Sequence, residues 1–190
     1  MLELEKLIND FWQYVRDEKV ELYNEFSLQH ELGIFLRNVL DGYLVQFERN
    51  VSFFGIFGNT TIKKEIDITI FTPGKKECYA VELKYPRNGQ YPEQMYAFTK
   101  DILFMEQLRE HGFIQTCAVT LVEDRPFYAG DQKTGIYQYF RCGMPITGSV
   151  YKPTGSTKGK EHIDISGSYT VRWQNLDEKR RYYVIAGQLL

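Results

Sequence analysis

Glu65-Ile-Asp-Ile-Thr-Ile-Phe71 and Cys78-Tyr-Ala-Val-Glu-Leu-Lys84 are the two stretches from which the architecture of this chain can be read. Each alternates apolar and polar residues with a period of two, the pattern of a half-buried strand. Pro73-Gly74 lies between them, a pair suited to the centre of a type II turn. With Pro73 and Gly74 as the two loop residues, Thr72 faces Lys75, Asp67 faces Ala80 and Glu65 faces Glu82. Opposed residues share a face, as do residues two apart. Asp67, Glu82 and Lys84 therefore fall on one face of a β-hairpin, with Ile66, Ile68, Ile70, Val81 and Leu83 on the other. Asp67 and Glu82 become diagonal neighbours with backbones roughly 7–8 Å apart, close enough for two carboxylates to converge on one hard cation.

Before the hairpin, Leu4, Leu7, Ile8, Phe11, Trp12 and Val15 recur at helical spacing. A second helix is expected from an N-cap at Ser27, through Leu28, Leu32, Phe35, Leu36 and Val39, to Asp41-Gly42. Tyr43 to Phe47 begins a strand, and Val51 to Phe57 continues the sheet. After the hairpin, Pro92 suits the first turn of a long helix reaching about His111, with Met95, Phe98, Ile102, Met105 and Leu108 as its apolar stripe. On this reading Lys100, Asp101 and Glu106 form its solvated face. Phe113 to Val122 is a further strand. Residues 141–168, rich in Gly, Ser, Thr and Lys, read as loop, followed by strands at Tyr169–Trp173 and Arg181–Ile185. The expected class is α/β: one domain over 1–190 with a mixed central sheet flanked by helices. Its core spans about 27–122, and a β-rich extension spans about 123–190.

Composition narrows the function classes. The 190 residues are 43% hydrophobic and 25% charged, which is ordinary for a globular domain. A formal net charge of −2 supplies no overall positive field for a phosphate backbone. Any such contact must come from local patches, and Lys152, Lys158 and Lys160, or Arg172, Lys179, Arg180 and Arg181, are the candidates. Cys78, Cys117 and Cys142 have no zinc spacing and, with no signal peptide in view, read as reduced thiols in a cytoplasmic protein. No apolar run approaches the ~20 residues of a membrane span. His30, His111 and His162 have no partners at ligand spacing.

An acid two residues before a lysine also occurs at Asp17-Glu18-Lys19, Asp131-Gln132-Lys133 and Asp177-Glu178-Lys179, all in polar, turn-like segments. Only Glu82-Leu83-Lys84 sits inside an apolar strand paired to another strand with its own central Asp. In this respect the chain resembles the PD-(D/E)XK nuclease superfamily, with its restriction-endonuclease-like fold. The matching residues are Ile66-Asp67, then fourteen residues, then Glu82-Leu83-Lys84, with a helix on either side. Ile66 stands where the family's name has proline. Gln90, Gln94 and Tyr96 are misspaced for the Gln-x-x-x-Tyr motif of some branches. The resemblance implies Asp67 and Glu82 as metal ligands, the Leu83 carbonyl as a third, Lys84 as the catalytic lysine and Glu31 as an additional helix-borne acid. It implies Mg²⁺, with Mn²⁺ as a substitute, and hydrolysis of nucleic acid, DNA ahead of RNA, in restriction, repair or defence. The alternatives are a binding module that keeps the fold without hydrolysis, or a subunit completed by a partner protein or a second copy.

Overall fold

The computed structural model describes residues 1–188. Two helices, α1 (Leu4–Asp17) and α2 (Glu25–Val39), precede strand β1 (Leu44–Asn50). The hairpin strands β2 (Glu65–Phe71) and β3 (Cys78–Lys84) follow, then the long helix α3 (Tyr91–Glu110) and strand β4 (Gln115–Val122). The remainder comprises a one-turn helix α4 (Tyr137–Arg141), strands β5 (Ile146–Tyr151) and β6 (His162–Tyr169), a two-residue strand β7 (Gln174–Asn175) and β8 (Arg181–Ala186). Six strands form a sheet in the order β1-β2-β3-β4-β8-β7, and β5 and β6 form a separate two-stranded sheet. Among the described residues only β3 and β4 run parallel, joined across α3, so the sheet is mixed, as expected.

The hairpin differs from its expected register by two residues. Pro73-Gly74 does centre the turn, with Lys75 N–H donating to the Thr72 carbonyl at 2.8 Å and Gly74 at φ 82°. Lys75 and Lys76 belong to the loop as well, because Thr72 N–H bonds the Glu77 carbonyl at 3.1 Å and Phe71 pairs with Cys78. The four-residue loop is still of even length. The faces of the paired residues are therefore preserved, and extending the register past Ile68 and Val81 sets Asp67 opposite Glu82 rather than diagonal to it. Ile66, expected beside Ile68 and Ile70, instead packs with Ala80 in the core under α3.

Helix α2 begins one turn earlier than the Ser27 cap would have it. Asn24 is the N-cap: its side chain accepts from Ser27 N–H at 2.8 Å, while Ser27 Oγ accepts from Asn24 N–H at 3.0 Å. This reciprocal box satisfies two orphan amides and turns Glu25 and Gln29, four residues apart, toward the sheet.

Helices α1 and α2 cover one face of the sheet, burying Leu4, Ile8, Phe11, Trp12, Leu28, Leu32 and Leu36 against Ile68, Ile70, Val81 and Leu83. Helix α3 covers the other with Met95, Phe98, Ile102, Met105 and Leu108. The segment expected to be loop, 141–168, instead contains β5 and β6, whose Ile146, Val150, Ile163, Ile165 and Tyr169 pack on α3. The helix is thereby enclosed on two sides. That placement also corrects the solvated face: Asp101 and Glu106 are 4% and 2% exposed. Glu106 is held by the N–H groups of Gly167 (2.6 Å) and Ser166 (3.2 Å) and by the Tyr169 hydroxyl (2.8 Å), which locks the small sheet to α3. No helix among the described residues is long and apolar enough to cross a membrane.

Candidate active site

Strand β2 loses its partners on both sides at Asp67. Toward β3 the ladder stops at Ile68 and Val81. Beyond that point side chains take over from backbone: Asp67 Oδ2 accepts from Leu83 N–H at 2.7 Å, and Glu82 Oε1 accepts from Asp67 N–H at 3.2 Å. Toward β1 the ladder skips Glu48, which would face Asp67, because Glu48 adopts a left-handed backbone with φ 47°. A non-glycine residue held there costs on the order of 1 kcal/mol, and such strain concentrates at functional sites. Gln29 from α2 bridges the gap, its Nε2 donating to Glu48 Oε1 at 2.6 Å and to the Asp67 carbonyl at 2.8 Å. The result is a cleft of about 240 Å³ lined by Glu25, Phe26, Gln29, Glu48, Asp67 and Leu83.

Behind the cleft runs a row of alternating charges. Lys63 Nζ bonds Glu82 Oε2 and lies 3.1 Å from Asp101 Oδ1. Asp101 Oδ2 is 3.5 Å from Lys84 Nζ, which is in turn 3.7 Å from Glu25 Oε1. Glu25 Oε2 also accepts from Tyr85 N–H at 2.9 Å, and Lys84 Nζ donates to the Leu83 carbonyl at 2.8 Å. With Glu48 and Asp67 included, five carboxylates meet two ammonium groups, so the site carries an excess of negative charge.

Burial and the charge row act together on the groups of the site. Burial raises the Asp67 carboxyl from its ordinary 3.8 to about 6; Lys63, Lys84 and the Leu83 N–H pull it back, and Asp101 pushes it up. Burial alone would lower the Lys84 ammonium, but Asp101, Glu25 and Asp67 outweigh it and hold the group well above the usual lysine range. Lys84 is therefore a permanent cation at neutral pH.

Asp67, Glu82 and Lys84 thus come together, as the hairpin reading requires. Glu31 does not join them. Its carboxylate sits 3.5 Å from His30 Nδ1, away from the cleft lining, because α2 presents Glu25 and Gln29 to the sheet instead. Four groups escaped the sequence reading: Glu25, Glu48, Lys63 and Asp101. The spacing of Glu25 and Gln29, one helical turn apart, was a usable signal for the first. Nothing local marks the other three.

Among the described residues no group of three or more His, Cys, Asp or Glu side chains is arranged to hold a metal ion. Asp67 and Glu48 nevertheless line one cleft, and Mg²⁺ needs only one or two carboxylates when water and substrate oxygens complete its shell. Glu82 and the Leu83 carbonyl, the other two expected ligands, are each engaged by a lysine. The candidate nucleic-acid patches are partly neutralised: Lys152 pairs with Glu161 at 3.3 Å, Arg180 with Asp177 at 2.6 Å, and Arg181 stacks on Tyr128. Comparison with protein-family models, curated proteins and solved structures gives no match.

Proposed function

We propose that the cleft is the active site of a metal-dependent nuclease of the PD-(D/E)XK kind, hydrolysing phosphodiester bonds in nucleic acid, DNA before RNA. The observation that supports this most is the break in the β2–β3 ladder, where Asp67 accepts from Leu83 N–H, Glu82 accepts from Asp67 N–H, and Lys84 on the same strand is held by Asp101 and Glu25. A carboxylate that burial disfavours as an anion gains from a neighbouring cation, and Asp67, with Glu48 opposite, would hold Mg²⁺ or Mn²⁺ there. The ion would supply Lewis-acid polarisation of the scissile phosphate and a more acidic bound water.

The chain's own groups do the rest. Lys84, held from behind by Asp101 and Glu25, cannot act as a general base at neutral pH. It orients the attacking water and offsets the negative charge that grows on the phosphate. The Leu83 N–H fixes one Asp67 oxygen, so the other is free to face the cleft. Gln29 keeps Glu48 and the Asp67 backbone in register.

The test is cleavage of single- and double-stranded DNA and RNA with Mg²⁺ or Mn²⁺, by the wild-type chain and Lys84→Ala. Cleavage that needs the metal and disappears in Lys84→Ala, with the circular dichroism spectrum unchanged, is the expected result. Equal cleavage by both proteins would sink the assignment. The rival reading, a binding module without hydrolysis, is favoured by the sealing of Glu82 by Lys63. It predicts no cleavage by either protein.

A further inference from the structure

Lys63 is not part of the strand motif, yet it bonds the most deeply buried carboxylate of the charge row. The segment that carries it is fixed by its backbone. Thr61 Oγ1 donates to the Lys63 carbonyl at 2.7 Å, Ile62 N–H donates to Gln107 Oε1 on α3 at 2.7 Å, and Val51 N–H donates to the Lys64 carbonyl at 2.8 Å. The ammonium lies between Glu82 and Asp101, 5.7 Å from the centre of the Phe104 ring. The Glu82 side chain is wholly buried, whereas the Lys63 side chain is 29% exposed. The lysine thus has a route to solvent through side-chain rotation alone, while the carboxylate has none.

We propose that Lys63 is a built-in counter-cation that competes with a divalent ion for Glu82 and so sets the metal affinity of the site. The inference rests on the metal-dependent reading above and names the residue that controls it. A buried carboxylate cannot stay ionised without a partner. Lys63 fills that need with one positive charge, and a divalent ion fills it with two. When Lys63 swings out, Asp101 is not stranded, because its second oxygen still faces Lys84 at 3.5 Å. Lys63 is also the cation that acts most strongly on the Asp67 carboxyl, so an ion taking its place would meet Glu82 Oε2 with Asp67 close by. Ion entry at Glu82 and departure of Lys63 are one exchange.

The experiment is calorimetric titration of the full chain with Mn²⁺, comparing wild type, Lys63→Met, Lys63→Arg and the double variant Lys63→Met with Glu82→Gln. Removing a competing charge at contact distance is expected to tighten Mn²⁺ binding at least ~10-fold in Lys63→Met. Lys63→Arg keeps the charge and stays near wild type. The double variant loses the gain, which shows that Glu82 carries it. Equal affinities in wild type and Lys63→Met, or a gain that survives Glu82→Gln, would overturn the proposal. Should Lys63→Met fail to fold, acetylation of Lys63 in the wild type, followed by mass spectrometry, decides the matter. Mn²⁺ is expected to speed modification of Lys63, and an unchanged rate counts against the exchange. Metal-dependent cleavage by wild type with unaltered Lys63 behaviour removes this inference alone. Absence of both Mn²⁺ binding and cleavage removes it together with the nuclease reading.

Discussion

Replacing Asp67 by asparagine should make the protein more stable at neutral pH while abolishing the proposed metal-dependent cleavage. Burial raises the Asp67 carboxyl from 3.8 to about 6, so the native state binds a proton more tightly there than the unfolded chain does. Stability is then lost as pH rises between those values, and the full cost is present above pH 6. At 1.36 kcal/mol per pH unit, a gap of about two units amounts to about 3 kcal/mol, as an upper figure. The asparagine carries no such cost, and its side-chain oxygen can still accept the Leu83 N–H that now bonds Asp67 at 2.7 Å. The assay is urea denaturation followed by tryptophan fluorescence, which reads the buried Trp12 stacked on Tyr182 at 4.5 Å. Asp67→Asn should gain about 1–3 kcal/mol at about pH 7.5, or roughly 2–4 °C of Tm per kcal/mol. The gain should vanish near about pH 3.5, where the aspartate is largely protonated in both states. A variant less stable than wild type at neutral pH, or a difference independent of pH, would rule this linkage out.

Two further outcomes follow from the groups around α3. Asp101→Asn keeps the shape between Lys63 and Lys84 but removes the charge that bridges them, so kcat should fall about 10–100-fold while KM changes little. Steady-state kinetics on any cleaved oligonucleotide separates the two constants, and a change confined to KM would count against a positioning role. Glu106→Ala strips three donors of their acceptor in a buried setting and should cost about 3–5 kcal/mol, read by thermal melting, without altering metal affinity.

The hairpin was legible because alternation fixes parity. The loop gained two residues over its simplest reading, yet an even insertion keeps the faces of the paired residues, and Ile68, Ile70, Val81 and Leu83 share one core. Ile66, beyond the break at Asp67, packs in the other core with Ala80. The helix stripes were legible for the same kind of reason, since Met95, Phe98, Ile102, Met105 and Leu108 all point inward. Asp101 and Glu106 were not. Their burial depends on the β5–β6 sheet, which folds back onto α3 from a distant part of the chain. Polar residues on a helix look solvated until the element that covers them is known. Glu48 escaped because it lies beyond the Tyr43 to Phe47 stretch read as strand, and only the pairing of β1 with β2 sets it opposite Asp67. Glu25 escaped because an N-cap at Ser27 leaves it outside helix α2, whereas the helix starts at Glu25 with Asn24 as its cap.

The decisive measurement is anomalous scattering from crystals soaked in Mn²⁺. An anomalous peak is expected at bonding distance from Asp67, inside the cleft lined by Glu48 and Gln29, and it should disappear in Asp67→Asn crystals. A cleft without a peak in fully soaked wild-type crystals, or a peak that survives Asp67→Asn, would contradict a metal site at Asp67.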